Sequence, residues 1–296
     1  EGFFEHECRW KIKLDTIPEL LTTKPLWAGE GARTVFVWAE QGIGDEIMFA
    51  SLIPELHAVC SKLIVQCDRR LIPLFERSFP GDIIYESDRR LITEDMYDFH
   101  TPIGSLARIF RTSLESFQPT SNGYLFHEES KADQLRQKLL SGETKKLVGI
   151  SWKTETSLKN AGDRSMLLSD LAQVLDGPDT QLVCLQYGDV TAEIDSLQAE
   201  HGINVIQVSE IDNRNDIDGL ASLIMACDQV VSTTSVTVHL AGALGADVKV
   251  LLEVLPRWIW GKVKSPKTWY GTVTAYRQEM SGDWSKVLRV LKQDMK

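Results

Sequence analysis

The stretch Thr34-Val35-Phe36-Val37-Trp38-Ala39-Glu40-Gln41-Gly42-Ile43-Gly44-Asp45-Glu46-Ile47 decides the fold class. Five β-favouring residues run into a polar turn that carries two glycines. Beyond it Ile47, Phe49, Ala50, Ile53 and Leu56 recur at roughly helical spacing. A strand that turns directly into a helix is half of a βα unit, and such units in series build a parallel sheet. Outward from this stretch the alternation returns. Strands are expected at 63–67, 83–85 and 97–100, with helices at 71–78 and after Pro102. Residues 128–146 are charged and helix-prone, and the domain junction is placed near their end. A second series follows, with strands at 147–152, 181–186, 204–208, 229–232 and 248–252 and helices near 167–175, 191–201, 217–227 and 236–244. Gly282-Asp283-Trp284 opens a last amphipathic helix. The expected organisation is therefore a helical or irregular lead-in over 1–30, a Rossmann-like domain over 31–145, a second over 146–280 and a terminal helix over 281–296.

Composition narrows the function. The 296 residues are 43% hydrophobic and 25% charged, the make-up of a soluble globular protein. Lys+Arg 32 against Asp+Glu 42 leave a net charge of −10, which repels phosphate backbones, so no nucleic-acid partner is expected. No apolar run approaches the roughly 18–20 residues of a membrane span. The start, Glu1-Gly2-Phe3-Phe4-Glu5-His6, has neither the basic nor the apolar region of a signal peptide. Five cysteines (Cys8, Cys60, Cys67, Cys184, Cys227) include no C-x-x-C, and four lie in apolar runs; they read as reduced thiols of a cytoplasmic protein. No ligand spacing points to a metal.

Ligands of open α/β sheets bind at the carboxyl ends of the strands, so the loops after strands carry the chemistry. In the first loop Gly42 and Gly44 permit a tight turn and close approach of backbone to ligand. A dinucleotide fingerprint wants a third glycine where Ile47 stands, and Asp45 would meet a pyrophosphate with like charge, which argues against NAD. Asp45 is instead placed either to take a proton from a substrate hydroxyl or simply to cap the helix that follows. The run Ser232-Thr233-Thr234-Ser235, at the mouth of a small-residue helix containing His239, suits a diphosphate or is an ordinary N-cap over a core histidine. Lys153, Lys159 and Arg164 follow another strand and either neutralise a leaving diphosphate or are solvated. Gln186-Tyr187-Gly188-Asp189 could read a base or ribose edge. Trp258, Trp260, Trp269 and Trp284 read as core. No G-x-S-x-G elbow and no P-loop occur.

Taken together, these segments resemble bacterial heptosyltransferase-like glycosyltransferases, of the kind that often follow tetratricopeptide repeats in one polypeptide. The resemblance rests on residues 37–49, Asp163-Arg164-Ser165, Leu185-Gln186-Tyr187-Gly188, His239-Leu240-Ala241-Gly242-Ala243-Leu244-Gly245 and Gly282-Asp283-Trp284, in that order. Pro25-Leu26-Trp27 resembles the link from repeats to catalytic domain. The resemblance implies a GT-B fold, two Rossmann-like domains facing across a cleft with the terminal helix crossing back. It implies an inverting transfer of a hexose or heptose from a nucleotide-diphosphate sugar to a hydroxyl of a glycan or protein, with no cofactor and no metal. By position Asp45 matches the general base, and Arg164, helped by Lys159, the cation on the leaving diphosphate. Thr234, Ser235 and His239 match the donor phosphate loop, with Gln186 beside the donor. Gly42, Gly44 and His100 fall on the acceptor side. One departure bears on donor identity and on activity: Thr234 stands where heptosyltransferase relatives usually carry Asp. Glu253 also stands where repeat-linked relatives often carry Pro. A catalytically silent nucleotide-sugar-binding module, or an epimerase or hydrolase on the same architecture, are the alternative readings.

Overall fold

The computed structural model describes residues 2–10, 20–117, 122–154, 164–261 and 268–295. The chain divides between residues 118 and 119 into two compact units.

The first unit opens with α1 (Gly2–His6) and a 3-10 turn, Glu7–Trp10. Its sheet holds β1 (Ala32–Trp38), β2 (Cys60–Gln66), β3 (Ile83–Glu86) and β4 (Phe99–Pro102), all parallel in the order β3-β2-β1-β4. Val35 of the central strand pairs with Leu63 on one side and Phe99 on the other. Val35, Phe36 and Val37 are all buried, because helices cover both faces of a parallel sheet. The helices are α2 (Ile43–Ala50), α3 (Ile53–His57), α4 (Ile72–Ser78) and α5 (Leu106–Phe110). The single helix expected after Gly44 is broken in two. Pro54, at the start of α3, has no N–H for a continuous ladder. The lead-in is tied to this unit: Trp27 N–H donates to the His100 carbonyl at 2.8 Å and His100 N–H to that of Pro25 at 3.2 Å.

The second unit holds α6 (Glu129–Leu140), β5 (Lys146–Ser151), α7 (Leu168–Leu175), β6 (Thr180–Cys184), α8 (Thr191–His201), β7 (Val205–Ile206) and α9 (Ile217–Ala226). It continues with β8 (Gln229–Thr233), α10 (Val236–Leu244), β9 (Val248–Leu252), β10 (Val273–Arg277) and α11 (Ser285–Asp294). Its six parallel strands run β10-β9-β8-β5-β6-β7, so the order reverses between β5 and β8. The junction lies earlier than the expected 145/146 because the segment before β5 packs here. Arg136 of α6 donates to the Ala226 carbonyl and to Asp228, both at 2.7 Å, and Tyr124 N–H to the Ala243 carbonyl at 2.7 Å. Val287, Leu288 and Leu291 of α11 join Leu168, Leu171 and Tyr276 in this unit's core. No helix among the described residues is long and apolar enough to cross a membrane. All five cysteines are free thiols; Cys8 is exposed.

Candidate active site

In the first unit the chain leaves β1 into a loop held from several sides. Arg89 donates to the Ala39 carbonyl at 3.0 Å and to Gln66 Oε1 at 3.3 Å, and Ala39 N–H donates to the same Oε1 at 3.1 Å. Glu40 is buried, and its Oε1 accepts from Arg9 Nη2 at 3.1 Å, Gly104 N–H at 3.2 Å and Gln41 Nε2 at 3.3 Å. Burial nonetheless holds the Glu40 carboxyl above its ordinary range. The neighbouring Glu46 accepts from Asp68 N–H at 2.7 Å, and burial pushes it up to about 7.

Helix α2 begins at Ile43, with Gly42 as its N-cap and no side chain capping it. Asp45 therefore lies inside the first turn and does not cap a helix starting at Glu46, as the bland reading of the sequence had it. Its N–H donates to the Gly42 carbonyl at 2.8 Å, and the residue is only 8% exposed. A carboxylate there is favourably placed against the positive end of the helix. Gly42 has an ordinary extended φ of −80°, so its value is space: a Cβ there would stand 3.8 Å from Asp45 Oδ2 and little else. Gly44 is in the first turn. His6 of α1 comes close enough to feel Asp45; burial and the Arg9 guanidinium hold its ring below the usual imidazole range, while Glu7 and Asp45 pull the other way. Sequence reasoning missed both His6 and Arg9, since nothing periodic links the lead-in to residue 45. His100, on β4, accepts from Trp38 Nε1 through Nδ1 at 3.2 Å, and burial lowers its pKa.

In the second unit the polar residues gather at the carboxyl ends of β5, β6, β8 and β9. Gln186, just past β6, is 2% exposed, and the protein occupies its amide. Oε1 accepts from Ser151 Oγ (3.0 Å), Trp152 N–H (3.0 Å) and Lys153 N–H (3.1 Å), while Nε2 donates to the carbonyls of Lys153 (3.1 Å) and Tyr187 (3.3 Å). It staples two strand-end loops together instead of presenting an edge to a base. Lys153 pairs with Glu193, which also accepts from Trp152 Nε1 at 2.8 Å. Lys159, Asn160 and Asp163 lie outside the described residues. Arg164 Nε stands 3.3 Å from Glu253 Oε1, though the two atoms are not aligned for a hydrogen bond.

The hydroxyl run divides by depth. Ser232 Oγ donates to the Thr233 carbonyl at 2.8 Å and lies 3.4 Å from Ser235 Oγ. Thr233 is fully buried. Thr234 and Ser235 are half-buried at the mouth of α10, and Thr234 Oγ1 donates to Glu253 Oε2 at 3.4 Å. Ser235 is the N-cap, with no side-chain cap hydrogen bond, so first-turn N–H groups of α10 are left for an anion. His239, one turn in, is 7% exposed; its Nδ1 shares a hydrogen bond with Tyr270 OH at 2.8 Å, and its ring lies 5.5 Å from that of Trp260.

Beside these loops is a cavity of about 480 Å³, lined by Gln186, Gly188, Asp212, Asn213, Arg214 and Asn215. Asn213 Nδ2 donates to the Cys184 and Gln186 carbonyls, both at 3.2 Å, while its Oδ1 is buried without a hydrogen bond among the described residues. The Arg214 guanidinium lies 6.0 Å from the centre of the Tyr187 ring. The sequence showed Gln186, Tyr187 and Gly188 but not 212–215, which follow a strand of only two residues. Among the described residues no three His, Cys, Asp or Glu side chains gather to hold a metal ion.

A parallel sheet with a strand-order reversal, an uncapped helix mouth there and a cavity at the end of β6 are the features of a Rossmann-like unit. Solved structures share this fold. The glycosyl transferase family 9 protein of Veillonella parvula DSM 2008 matches with a TM-score of 0.60 at 12% identity, over 90% of this chain and 91% of that one. The ADP-heptose LPS heptosyltransferase II of E. coli matches with 0.59 at 14% identity, over 88% and 97%. TibC, an iron-containing dodecameric glycosyltransferase of enterotoxigenic E. coli H10407, matches with 0.53 at 12%, over 90% and 68%. The fold is GT-B. No family model matches the chain. Among curated proteins, Protein FlbA of Caulobacter vibrioides is 30% identical over a gapped alignment of 308 positions that covers 97% of this chain. The chain spans about half, 51%, of that relative's length. Within the GT-B fold, Asp45 and Gly42 belong to the first Rossmann unit, and Arg164, Thr234, Ser235 and His239 to the second.

Proposed function

We propose that this chain is a metal-independent inverting glycosyltransferase, moving a sugar from a nucleotide-diphosphate sugar to an acceptor hydroxyl. The observation that carries the reading is the uncapped mouth of α10 at the strand-order reversal, with a cavity large enough for a nucleoside at the end of β6, two strands along the same sheet edge. In this reading the nearly buried Asp45 of the first unit is the base. In the reaction the acceptor O–H gives its proton to the Asp45 carboxylate as its oxygen bonds to the anomeric carbon from one face. The bond from that carbon to the diphosphate oxygen breaks on the opposite face. The diphosphate leaves with the electron pair, its charge met by the α10 N–H groups and by Arg164, with Lys159 assisting. Gln186 serves this step by fixing the loop after β5. Two of the solved neighbours are E. coli heptosyltransferase WaaC with ADP-2-deoxy-2-fluoro heptose and with ADP, so an adenosine diphosphate sugar stands first among candidate donors.

The test is a thermal-shift screen against ADP, GDP, UDP, CMP, their sugar conjugates and NAD, followed by turnover of Asp45→Asn. A saturating nucleotide at about 100 times its Kd raises stability by about 2.7 kcal/mol. Asp45→Asn should keep that shift and lose turnover by about 10²–10⁴-fold. Wild-type turnover in the variant removes Asp45 as the base, and a shift with NAD alone overturns the transferase reading. Thr234 favours a second reading, a silent nucleotide-sugar-binding module; it predicts the same shift with no release of nucleoside diphosphate in the presence of any acceptor.

A further inference from the structure

Two buried polar side chains at the far side of α10's mouth, Glu253 and Gln278, are not explained by holding a diphosphate. Strands β8, β9 and β10 are neighbours, with Thr233 opposite Leu251 and Leu252 opposite Arg277. The residues that follow these strands, Thr234, Glu253 and Gln278, therefore stand at one stretch of the sheet's carboxyl edge. Gln278 N–H donates to the Leu252 carbonyl at 2.9 Å, which fixes it next to Glu253. Glu253 is 5% exposed and Gln278 2%. Burying a carboxylate is costly unless it is fully hydrogen-bonded, and the same holds for an amide. Neither is satisfied here. Glu253 Oε1 has a nearby cation, Arg164 Nε at 3.3 Å, but no hydrogen bond, and Oε2 has only a long one from Thr234 at 3.4 Å. Arg277, whose charge also reaches Glu253, spends a guanidinium N–H on the Gly261 carbonyl at 2.6 Å. Both amide atoms of Gln278 lack any hydrogen-bond partner among the described residues.

We infer that Glu253 and Gln278 form the subsite that takes the hydroxyl groups of the donor's sugar, a role that rests on the nucleotide-sugar reading above. The unmet groups are carboxylate acceptors and an amide that both accepts and donates. Hydroxyls of a sugar ring donate and accept from adjacent carbons and match that set. A phosphate brings only acceptors and a negative charge, and Glu253 would repel it. Placement agrees. The nucleoside-sized cavity lies against the end of β6, the α10 mouth follows β8, and Glu253 follows β9. From β6 to β9 is three strand spacings, about 14 Å, so nucleoside, diphosphate and sugar fall in chemical order along one edge. Arg164, held by Glu253, then meets the diphosphate between them.

The competing role is that Glu253 only orients Arg164 for the diphosphate, and binding separates the two. Calorimetric Kd values would be compared for ADP, GDP and UDP and for ADP-heptose, ADP-glucose, GDP-mannose and UDP-glucose on wild type, Glu253→Gln and Gln278→Leu. For the conjugate that wild type binds, Glu253→Gln should weaken affinity about tenfold or more, the worth of a hydrogen bond to a charged group. Its parent nucleoside diphosphate should change by less than about threefold. Gln278→Leu should show the same selectivity, and it carries the test alone if Glu253→Gln does not fold. Equal losses on conjugate and nucleoside diphosphate, tighter binding of both, or no change in either would each overturn the subsite. Failure of wild type to bind any of the seven compounds would instead bring down the nucleotide-sugar reading, and this subsite with it.

Discussion

At the residue scale, the first unit concentrates acid in the loop and helix that follow β1. Glu40, Asp45 and Glu46 are all nearly buried within seven residues of one another, yet their surroundings differ. Glu40 is clamped by Arg9, and Glu46 accepts the Asp68 N–H while burial lifts it from 4.5 to about 7. A carboxyl whose folded pKa lies above its unfolded one binds more protons in the folded state. Stability is then fullest below pH 4.5, falls as pH rises toward 7 and is flat beyond. Glu46→Gln should remove that slope. By pH 8 the variant should have gained, relative to wild type and to the difference at pH 4.5, at most about 3 kcal/mol; urea midpoints at the two pH values check it. A midpoint difference that does not move with pH would show that Glu46 titrates in the folded protein as it does in the unfolded chain. Asp45 itself was legible because everything that places it is local: a strand, a glycine turn and a helix start. The clamp on Glu40 was not, since Arg9 and Gly104 reach it from 31 and 64 residues away. Nor was the meeting of Thr234 with Glu253, two departures from the resembled family that the sheet brings within 3.4 Å.

At the element scale, α10 shows how close packing positions a buried side chain. Its small residues were readable as a helix lying tight on a sheet; what they make room for was not. Tyr270 comes from beyond β9 and lays its ring over Gly242, so that a Cβ there would stand 2.7 Å from the ring's Cγ. The same tyrosine holds His239 Nδ1 and packs its ring 6.2 Å from that of Trp260, so it has little freedom to withdraw. Helix propensity alone favours Gly242→Ala by about 0.5–1 kcal/mol. Overpacking against a fixed ring costs about 1–3 kcal/mol and decides the sign. The variant should melt lower than wild type and bind nucleotide more weakly, because His239 loses its orientation; a raised melting temperature would mean that Tyr270 yields. Strand β10 escaped sequence reading for a related reason. Its five residues include Thr274 and Arg277 and follow no glycine-turn-helix signal, so only pairing with β9 makes it a strand. Strand β7 errs the other way, two residues where five were expected, because the sheet edge offers it pairing on one side alone.

At the scale of the whole molecule, the serial βα pattern was enough to give two Rossmann units, and the resemblance was enough to give GT-B. The boundary between them was not readable, because a charged amphipathic helix looks the same whichever sheet it covers. Helix α6 buries Ala132, Leu135 and Leu139, and Arg136 bonds the end of α9 and Asp228. Ahead of it, Tyr124 and Leu125 N–H both donate to the Ala243 carbonyl near the end of α10. A fragment of residues 119–296 keeps every one of these contacts, whereas 146–296 loses them and uncovers the α9 face. Removing two buried leucines exposes apolar area worth about 1.5–3 kcal/mol each, a large share of the roughly 5–15 kcal/mol that holds a domain together. The longer fragment should therefore unfold in one cooperative transition and give the nucleotide-induced thermal shift of the full chain. The shorter one should unfold at markedly lower denaturant or aggregate. Equal midpoints for the two fragments would return α6 to the first unit and move the boundary back to 145/146. Should both fragments fold but neither respond to nucleotide, the second unit alone would not suffice for donor binding, and Arg164, Ser235 and His239 would need the first unit to act.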